Sequence, residues 1–368
     1  MQKVSAFLRR KDIVFSPKRY FIDAMSAMAQ GLFCTLLVGT ILNTLGTQLH
    51  IGFLTDIIVT LGKGDGAVGY TIGGLCSAMV GPGMAVAIGQ ALNAPPMVLF
   101  SLIPVGFATN AMGGAGGPLA VLFVAIIASE IGKAVSKETK IDILVTPIVT
   151  ILCGIGAAAL IAAPIGTAAS AVGKAIMWAT ELQPFFMGII VSVVIGIALT
   201  LPISSAAICA ALGLTGLAGG AAVAGCCAQM VGFAVMSFRE NRWGGLAAQG
   251  LGTSMLQMGN IVRNPRIWIP PTLASAITGP IATCIFRMEM NGAAVSSGMG
   301  TCGLVGQIGV YTGWLADIEA GAKAAITAMD WIGLVLVCFV LPAILSWLIA
   351  LPLRKWGWIG EDDLKLDL

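Results

Sequence analysis

The sequence predicts an all-α integral membrane protein, a polytopic helical bundle of about eight to ten spans with broken or re-entrant helices. Three observations predict it. Hydrophobic residues make up 57% of the 368 positions and charged residues 10%, against roughly 45–50% and about 25% in soluble domains. Charge also vanishes over long stretches: residues 24–55, 66–129, 143–173, 182–238 and 331–353 contain no Asp, Glu, Lys or Arg. A span needs about 20 apolar residues, so the run 66–129 must fold back on itself within the bilayer. Glycine is the third anomaly, at 48 residues, nearly twice the usual share of about 7%. Small residues let helix backbones approach closely in lipid. They also permit breaks, which survive at membrane depth only when buried in protein or lining a wet cavity.

The elements follow in order. Residues 1–19 carry Lys3, Arg9, Arg10, Lys11, Lys18 and Arg19, which places this segment in the cytoplasm by the positive-inside rule. The first span covers about 20–45. Residues 49–62, with His50 and Asp56 among Ile51, Phe53, Leu54, Ile57 and Ile58, read as an interfacial helix. The run 66–129 holds two or three crossings, interrupted at Gly81-Pro82-Gly83, Pro95-Pro96 and the Gly113–Pro118 cluster. Lys133, Lys137 and Lys140 mark a cytoplasmic loop. A span at 141–164 and a softer stretch at 165–181 precede the apolar run 184–202. Residues 203–220, rich in Ser, Ala and Gly, read as a broken hairpin, and 221–238 as a further helix ending at Arg239-Glu240-Asn241-Arg242. Residues 243–262 are uncharged yet too polar to face lipid. A span near 267–287, a second Gly/Ser/Thr-rich broken element at 290–316 and a last span at 331–353 complete the bundle. Arg354 and Lys355 then place the C-terminus in the cytoplasm.

Composition excludes several function classes. A net charge of +3, thinly spread, gives no footprint for nucleic acid. The nine cysteines contain no C-x-x-C pair and mostly sit in apolar runs, so they read as small buried hydrophobes. The single histidine, His50, rules out a multi-histidine metal centre. No cofactor or metal is expected, and no nucleophile–base pair suggests catalysis by this chain alone. No cleavable signal peptide is read at the start.

The candidate binding residues lie in the second half. Glu240 can accept hydrogen bonds from hydroxyls, while Asn241, Gln257, Asn260 and Asn264 offer two-sided amide contacts, and Trp243 offers a stacking face. Polar groups at this depth are expensive and mark a pathway or a partner. Against this stands a plain cytoplasmic loop, with Arg239 and Arg242 at the headgroups and Glu240 paired to one of them. Ser204 and Ser205 follow Pro202 at a helix break, where hydroxyls either meet a polar ligand or satisfy the freed backbone. Ser296, Ser297, Thr301 and Gln307 stand in the same position in the second broken element. Glu130 and Lys133 read as an interfacial ion pair, and Asp330 as a cap of the last span.

The strings LVTPIVTI, WATELQPFFMGIIVS, ALTLPISSAAI, AGCCAQMVGFAVMSFRENRWGG, LGTSMLQMGNIVRNPRIWIPPTLAS and GTCGLVGQIG together resemble the membrane-embedded enzyme IIC family of the second type, related to the bacterial phosphotransferase system and also labelled perfringolysin-regulator-like. The resemblance runs from about Tyr20 to Trp358. It implies a permease of the bacterial inner membrane, working as a homodimer among membrane lipid and passing a sugar-like solute. A scaffold half (20–180) would support a mobile transport half (181–353), followed by a tail (354–368), in an elevator-like exchange of access. It also implies IIA and IIB partners, here as separate proteins. Better-known members place a Glu and a His at the sugar, whereas His50 lies far from the polar block. An ion-coupled carrier and a membrane sensor therefore stay open as alternatives.

Overall fold

The computed structural model describes residues 2–62, 67–180 and 182–366; residue 181, where the expected transport half begins, lies outside them. The chain forms two compact units, Met1–Thr167 and Ala168–Leu368. Among the described residues, five helical stretches are long and apolar enough to cross a membrane, or six if a bent pair counts as one span. The expected eight to ten crossings exceed this because several apolar runs form shorter helices, such as the 17-residue helix Pro184–Thr200. One of the five stretches, Pro96–Val135, is itself two helices packed on each other.

In the first unit, α1 (Gln2–Arg10) precedes α2 (Lys18–Thr47), which contains two wider-wound stretches, Lys18–Asp23 and Phe33–Leu37. The interfacial helix expected at 49–62 is reduced to one turn, Gly52–Thr55. Beyond it the chain forms an antiparallel hairpin, β1 (Val59–Leu61) with β2 (Val68–Tyr70), pairing Val59 with Tyr70 and Leu61 with Val68. The β-branched run Ile57-Ile58-Val59-Thr60 explains the change, because such side chains are stiff in a helix and fit a pleated strand.

Helices α3 (Ile72–Ala78) and α4 (Val80–Ala91) meet at a 53° bend. The bend falls at Met79, before the Gly81-Pro82-Gly83 triplet. Proline is tolerated in a first turn, where its missing N–H has no helical partner anyway. Helices α5 (Pro96–Gly113) and α6 (Gly117–Val135) are separated by Gly114, whose φ of 51° suits glycine. Then α7 runs unbroken from Asp142 to Thr180. At about 1.5 Å per residue, its 39 residues exceed a hydrocarbon core of about 30 Å. The softer stretch after 164 continues this helix, since its alanines are strong helix formers.

The Glu130–Lys133 pair forms at 3.0 Å, but it is buried: the Lys133 side chain is 1% exposed. Lys133 also donates to the carbonyls of Asp12 and Leu92, each at 2.9 Å. Asp12 in turn receives the Arg19 guanidinium at 2.6 Å. This knot ties the basic N-terminal segment to the ends of α4 and α6.

The second unit is built round one helix, α10 (Gly216–Met236), 94% of whose span lies inside the protein. It is apolar on all sides, the pattern of a helix surrounded by others. Around it pack α8 (Pro184–Thr200), α13 (Ile269–Pro280) and α15 (Ala328–Lys355). Close approach is set by Gly225, where an added Cβ would lie 1.9 Å from the Ser192 carbonyl oxygen. Hydroxyls join the helices further, with Ser192 donating to Ser275 O at 2.8 Å and Ser275 to Gly225 O at 3.3 Å. Asp330 closes a capping box with Thr327 at the start of α15.

Candidate functional site

The two glycine-rich broken elements of the second half meet on α10. Ser204 caps the short helix α9 (Ser205–Leu212), its Oγ accepting from Ala207 N at 3.2 Å, and Gly213 ends that helix at a φ of 59°. The second element coils through tight turns at Ala294–Gly298 and Cys302–Leu304 before α14 (Val305–Glu319). Ser205 Oγ donates to Gly298 O at 2.8 Å, and Ser297 Oγ to Leu214 O at 2.6 Å. Gly216 and Met290 exchange a pair of backbone hydrogen bonds at 3.0 Å. Part of the freed backbone of each break is thus satisfied by the other.

From this junction a seam of uncharged polar side chains follows α10 towards its C-terminal end. Gln307, 8% exposed, donates to Cys227 Sγ at 3.1 Å, and its Oε1 has no hydrogen-bond partner among the described residues. Thr301 Oγ1 approaches Met230 Sδ at 3.5 Å. Gln229, fully buried, accepts through Oε1 from Trp268 Nε1 at 2.8 Å and Thr200 Oγ1 at 3.3 Å. Its Nε2 donates to Thr272 Oγ1 at 3.3 Å, and Thr200 shares a 2.8 Å hydrogen bond with Ser254. Next come Gln249 with Ser237 at 2.8 Å, Gln257 with Gln249 Oε1 at 2.9 Å, and Asn260 with Gln257 Oε1 at 2.8 Å. Cys227 and Ser237 are ten positions apart, which corresponds to roughly 15 Å of helix rise.

The lower end of the seam is closed by the chain's own tail. Gln257 Nε2 donates to Leu364 O at 2.9 Å and Asn260 Nδ2 to Lys365 O at 2.8 Å. Asn241 makes a two-sided contact, donating to Leu364 O at 2.7 Å and accepting from Leu366 N at 2.8 Å. Asn264 Nδ2 reaches Trp358 O at 2.8 Å and Asp363 Oδ2 at 2.7 Å. Leu364 is fully buried, Ile359 is 3% exposed, and Arg266 lies over the Trp358 ring.

The structure therefore brings Asn241, Gln257, Asn260 and Asn264 together round the tail, and places Ser205 at the broken-element junction and Gln307 against Cys227 of α10. Ser204 serves its own helix. Glu240 stands apart from the seam, with Oε1 2.7 Å from Arg354 Nη2. Both of its oxygens are buried and held by charge rather than by aligned hydrogen bonds. Neither Arg239 nor Arg242 takes that role; Arg239 pairs with Glu361 at 2.8 Å. Trp243 is 73% exposed and meets the Phe238 ring edge-on.

Residues 22–366 match the family model described as Phosphotransferase system, EIIC. The chain belongs to that family. Comparison with curated proteins and with solved structures returned no match. An EIIC is the membrane component of a phosphotransferase-system sugar permease, so this chain is a multi-pass membrane protein of that transport system.

Residue types alone do not single out Gln229, Thr200, Thr272 or Trp268 of this EIIC, whereas Ser254 falls in the polar stretch 243–262. Gln229 had a visible signal, as an amide within the uncharged run 182–238. The tail had none, because its contacts to Asn241, Gln257 and Asn260 are made by backbone atoms.

Proposed function

We propose that this EIIC moves a sugar-like solute by alternating access, with the second unit as carrier and the buried polar seam along α10 as its path. The observation that carries the reading is the seam itself. Uncharged amides and hydroxyls suit the hydroxyls of a sugar, which need donors and acceptors but no countercharge. Buried in a membrane protein, such groups are costly unless they are paired or serve a pathway. The junction of the two broken elements supports the same reading, because paired broken segments mark binding sites in carriers.

In this reading Gln307, with its unpartnered acceptor, and Ser205 contact the solute at the upper end, with Ser204 supporting. Asn241, Gln257, Asn260 and Asn264 contact it at the lower end once the tail withdraws. The tail's carbonyls and N–H group occupy the positions that solute hydroxyls would take. Glu240 acts beside them, by holding Arg354 or by accepting a hydroxyl when that pair opens. Both termini lie in the cytoplasm of a bacterium, the functional form is a homodimer, and separate IIA and IIB proteins supply the phosphoryl group.

Uptake into proteoliposomes tests this. Purified EIIC is screened against hexoses and hexitols by thermal shift, since a ligand of the native state raises apparent stability. Any stabilising sugar is then followed as a radiolabel with and without IIA, IIB and their phosphoryl donor. Phosphorylated sugar inside the vesicles is the expected result. Unmodified sugar accumulating without those proteins would identify an ion-coupled carrier, and binding without flux a sensor.

A further inference from the structure

We infer that a second site, outside the solute path, binds the headgroup of an anionic phospholipid where α10 and α15 end. A cleft of about 540 Å³ lies there, lined among others by Arg239, Arg242, Arg354, Trp243, Trp347 and Leu351. That volume is within the range of small-molecule sites, roughly 300–1,000 Å³.

The chemistry is divided by position. One wall is the last turns of the membrane-crossing helix α15, where Trp347, 49% exposed, stands about two turns before the helix ends and Leu351 about one turn before it. Tryptophan at a span end belongs to the headgroup level of a bilayer. Three guanidiniums line the same cleft. Arg354 is held by Glu240 and by Met236 O at 3.0 Å. Among the described residues Arg239 has only the pair with Glu361, the two side chains being 70% and 79% exposed; pairs of that kind are worth about 0–1 kcal/mol and exchange readily. The Arg242 side chain has no ionic or hydrogen-bond partner among the described residues. It sits where α11 (Phe238–Ala247) kinks, at φ 50° and ψ −149°, a backbone region that favours glycine.

A free arginine at a glycine-type position has to be explained by what the side chain does. A phosphodiester between Arg239 and Arg242, with the first carbons of its chains against Trp347 and Leu351, meets both halves of the cleft. Basic pockets between helices at the cytoplasmic face bind anionic headgroups in this way. A free phosphate would use the arginines and leave the aromatic wall without a role.

Native mass spectrometry of the full chain in an uncharged detergent tests the site. The probes are phosphatidylglycerol, phosphatidylcholine of the same chain length, and inorganic phosphate. The wild-type chain should retain phosphatidylglycerol in preference to phosphatidylcholine. Arg242→Gly should lower that preference about fivefold, the worth of one basic residue near a charged surface. The same variant should fold at least as well as the wild type, because glycine accepts this backbone geometry. Lys355→Ala, a basic change at the same level that is not among the lining residues, should leave the preference unchanged. Equal retention of both lipids, an unaltered preference in Arg242→Gly, or an equal loss in Lys355→Ala would overturn the inference. Displacement of phosphatidylglycerol by millimolar inorganic phosphate would reassign the cleft to a soluble anion.

Discussion

Gln257 Nε2 donates to the carbonyl of Leu364 at 2.9 Å, across 107 residues of sequence. The same nitrogen donates to Gln249, and the amide oxygen accepts from Asn260. One fully buried side chain thus links the seam along α10 to the end of the chain.

Removing residues 361–368 should therefore open the lower end of the seam. An Asn260→Cys reporter should react with a maleimide markedly faster in the shortened chain than in the full one. Sugar affinity should rise with truncation, because the amides no longer bind backbone. The melting temperature should fall, since buried amides that lose a partner cost about 1–3 kcal/mol each unless water replaces it. Equal labelling rates in the two chains would show that the tail does not cover the site.

Gln229→Leu leaves Trp268 Nε1 and Thr272 Oγ1 without their partner. A loss of about 1–3 kcal/mol is expected, as when a donor and an acceptor away from water lose their partner. If the seam is a path, sugar uptake should fall further than the loss of folded protein explains. Thermal unfolding and uptake measured on the same preparation separate the two effects.

Gly225→Val places side-chain atoms where the Ser192 carbonyl already sits. Overpacking costs typically about 1–3 kcal/mol, and more where backbone must move. Lower yield and a lower melting temperature should follow. Gly244→Ala, where an added Cβ meets nothing within 4 Å, provides the control.

Lys133→Met strips the buried Glu130 of its countercharge, which costs about 3–5 kcal/mol when one partner of a buried pair is removed. The double variant Glu130→Gln/Lys133→Met should recover part of that loss, because no lone charge remains. Melting temperatures of the three proteins check this. Equal destabilisation in the single and double variants would rule out the pair as the cause.

The Arg19 guanidinium, with help from Asn93, holds the Asp12 carboxyl below its ordinary value of 3.8 despite partial burial. A carboxyl with a lowered folded-state pKa contributes stability above its unfolded value, and that contribution is lost as pH falls through the folded one. The effect should appear only below about pH 4. It should stay under about 1 kcal/mol, because Asp12 is half exposed and screened. Asp12→Asn should flatten the acid limb of a melting-temperature profile and leave neutral pH little changed.

Much of this architecture is written in residue types. The uncharged runs predict the spans, the serine- and glycine-rich stretches at 203–220 and 290–316 predict the breaks, and the structure joins those breaks through Ser205 and Ser297. Within the polar stretch 243–262 the amides Gln249, Gln257 and Asn260 are buried, whereas Trp243, Leu251 and Val262 are exposed. Three features were not legible. The hairpin at 59–70 replaces a helix because β-branched residues outweigh an amphipathic pattern. Glu240 takes Arg354 rather than a neighbour, a choice that only folding across 114 positions can reveal. The tail's grip on Asn241, Gln257 and Asn260 is invisible because backbone atoms make it.

That last point bears on how the tail tolerates change. Asn241, Gln257 and Asn260 read main-chain atoms, so Lys365 and Leu366 can be exchanged for most other residues without loosening the closure. Proline is the exception at both, because at 366 it deletes the N–H that Asn241 receives and at 365 the N–H that the Asp362 carbonyl accepts. A drifting sequence with a fixed backbone grip is what such a terminus permits.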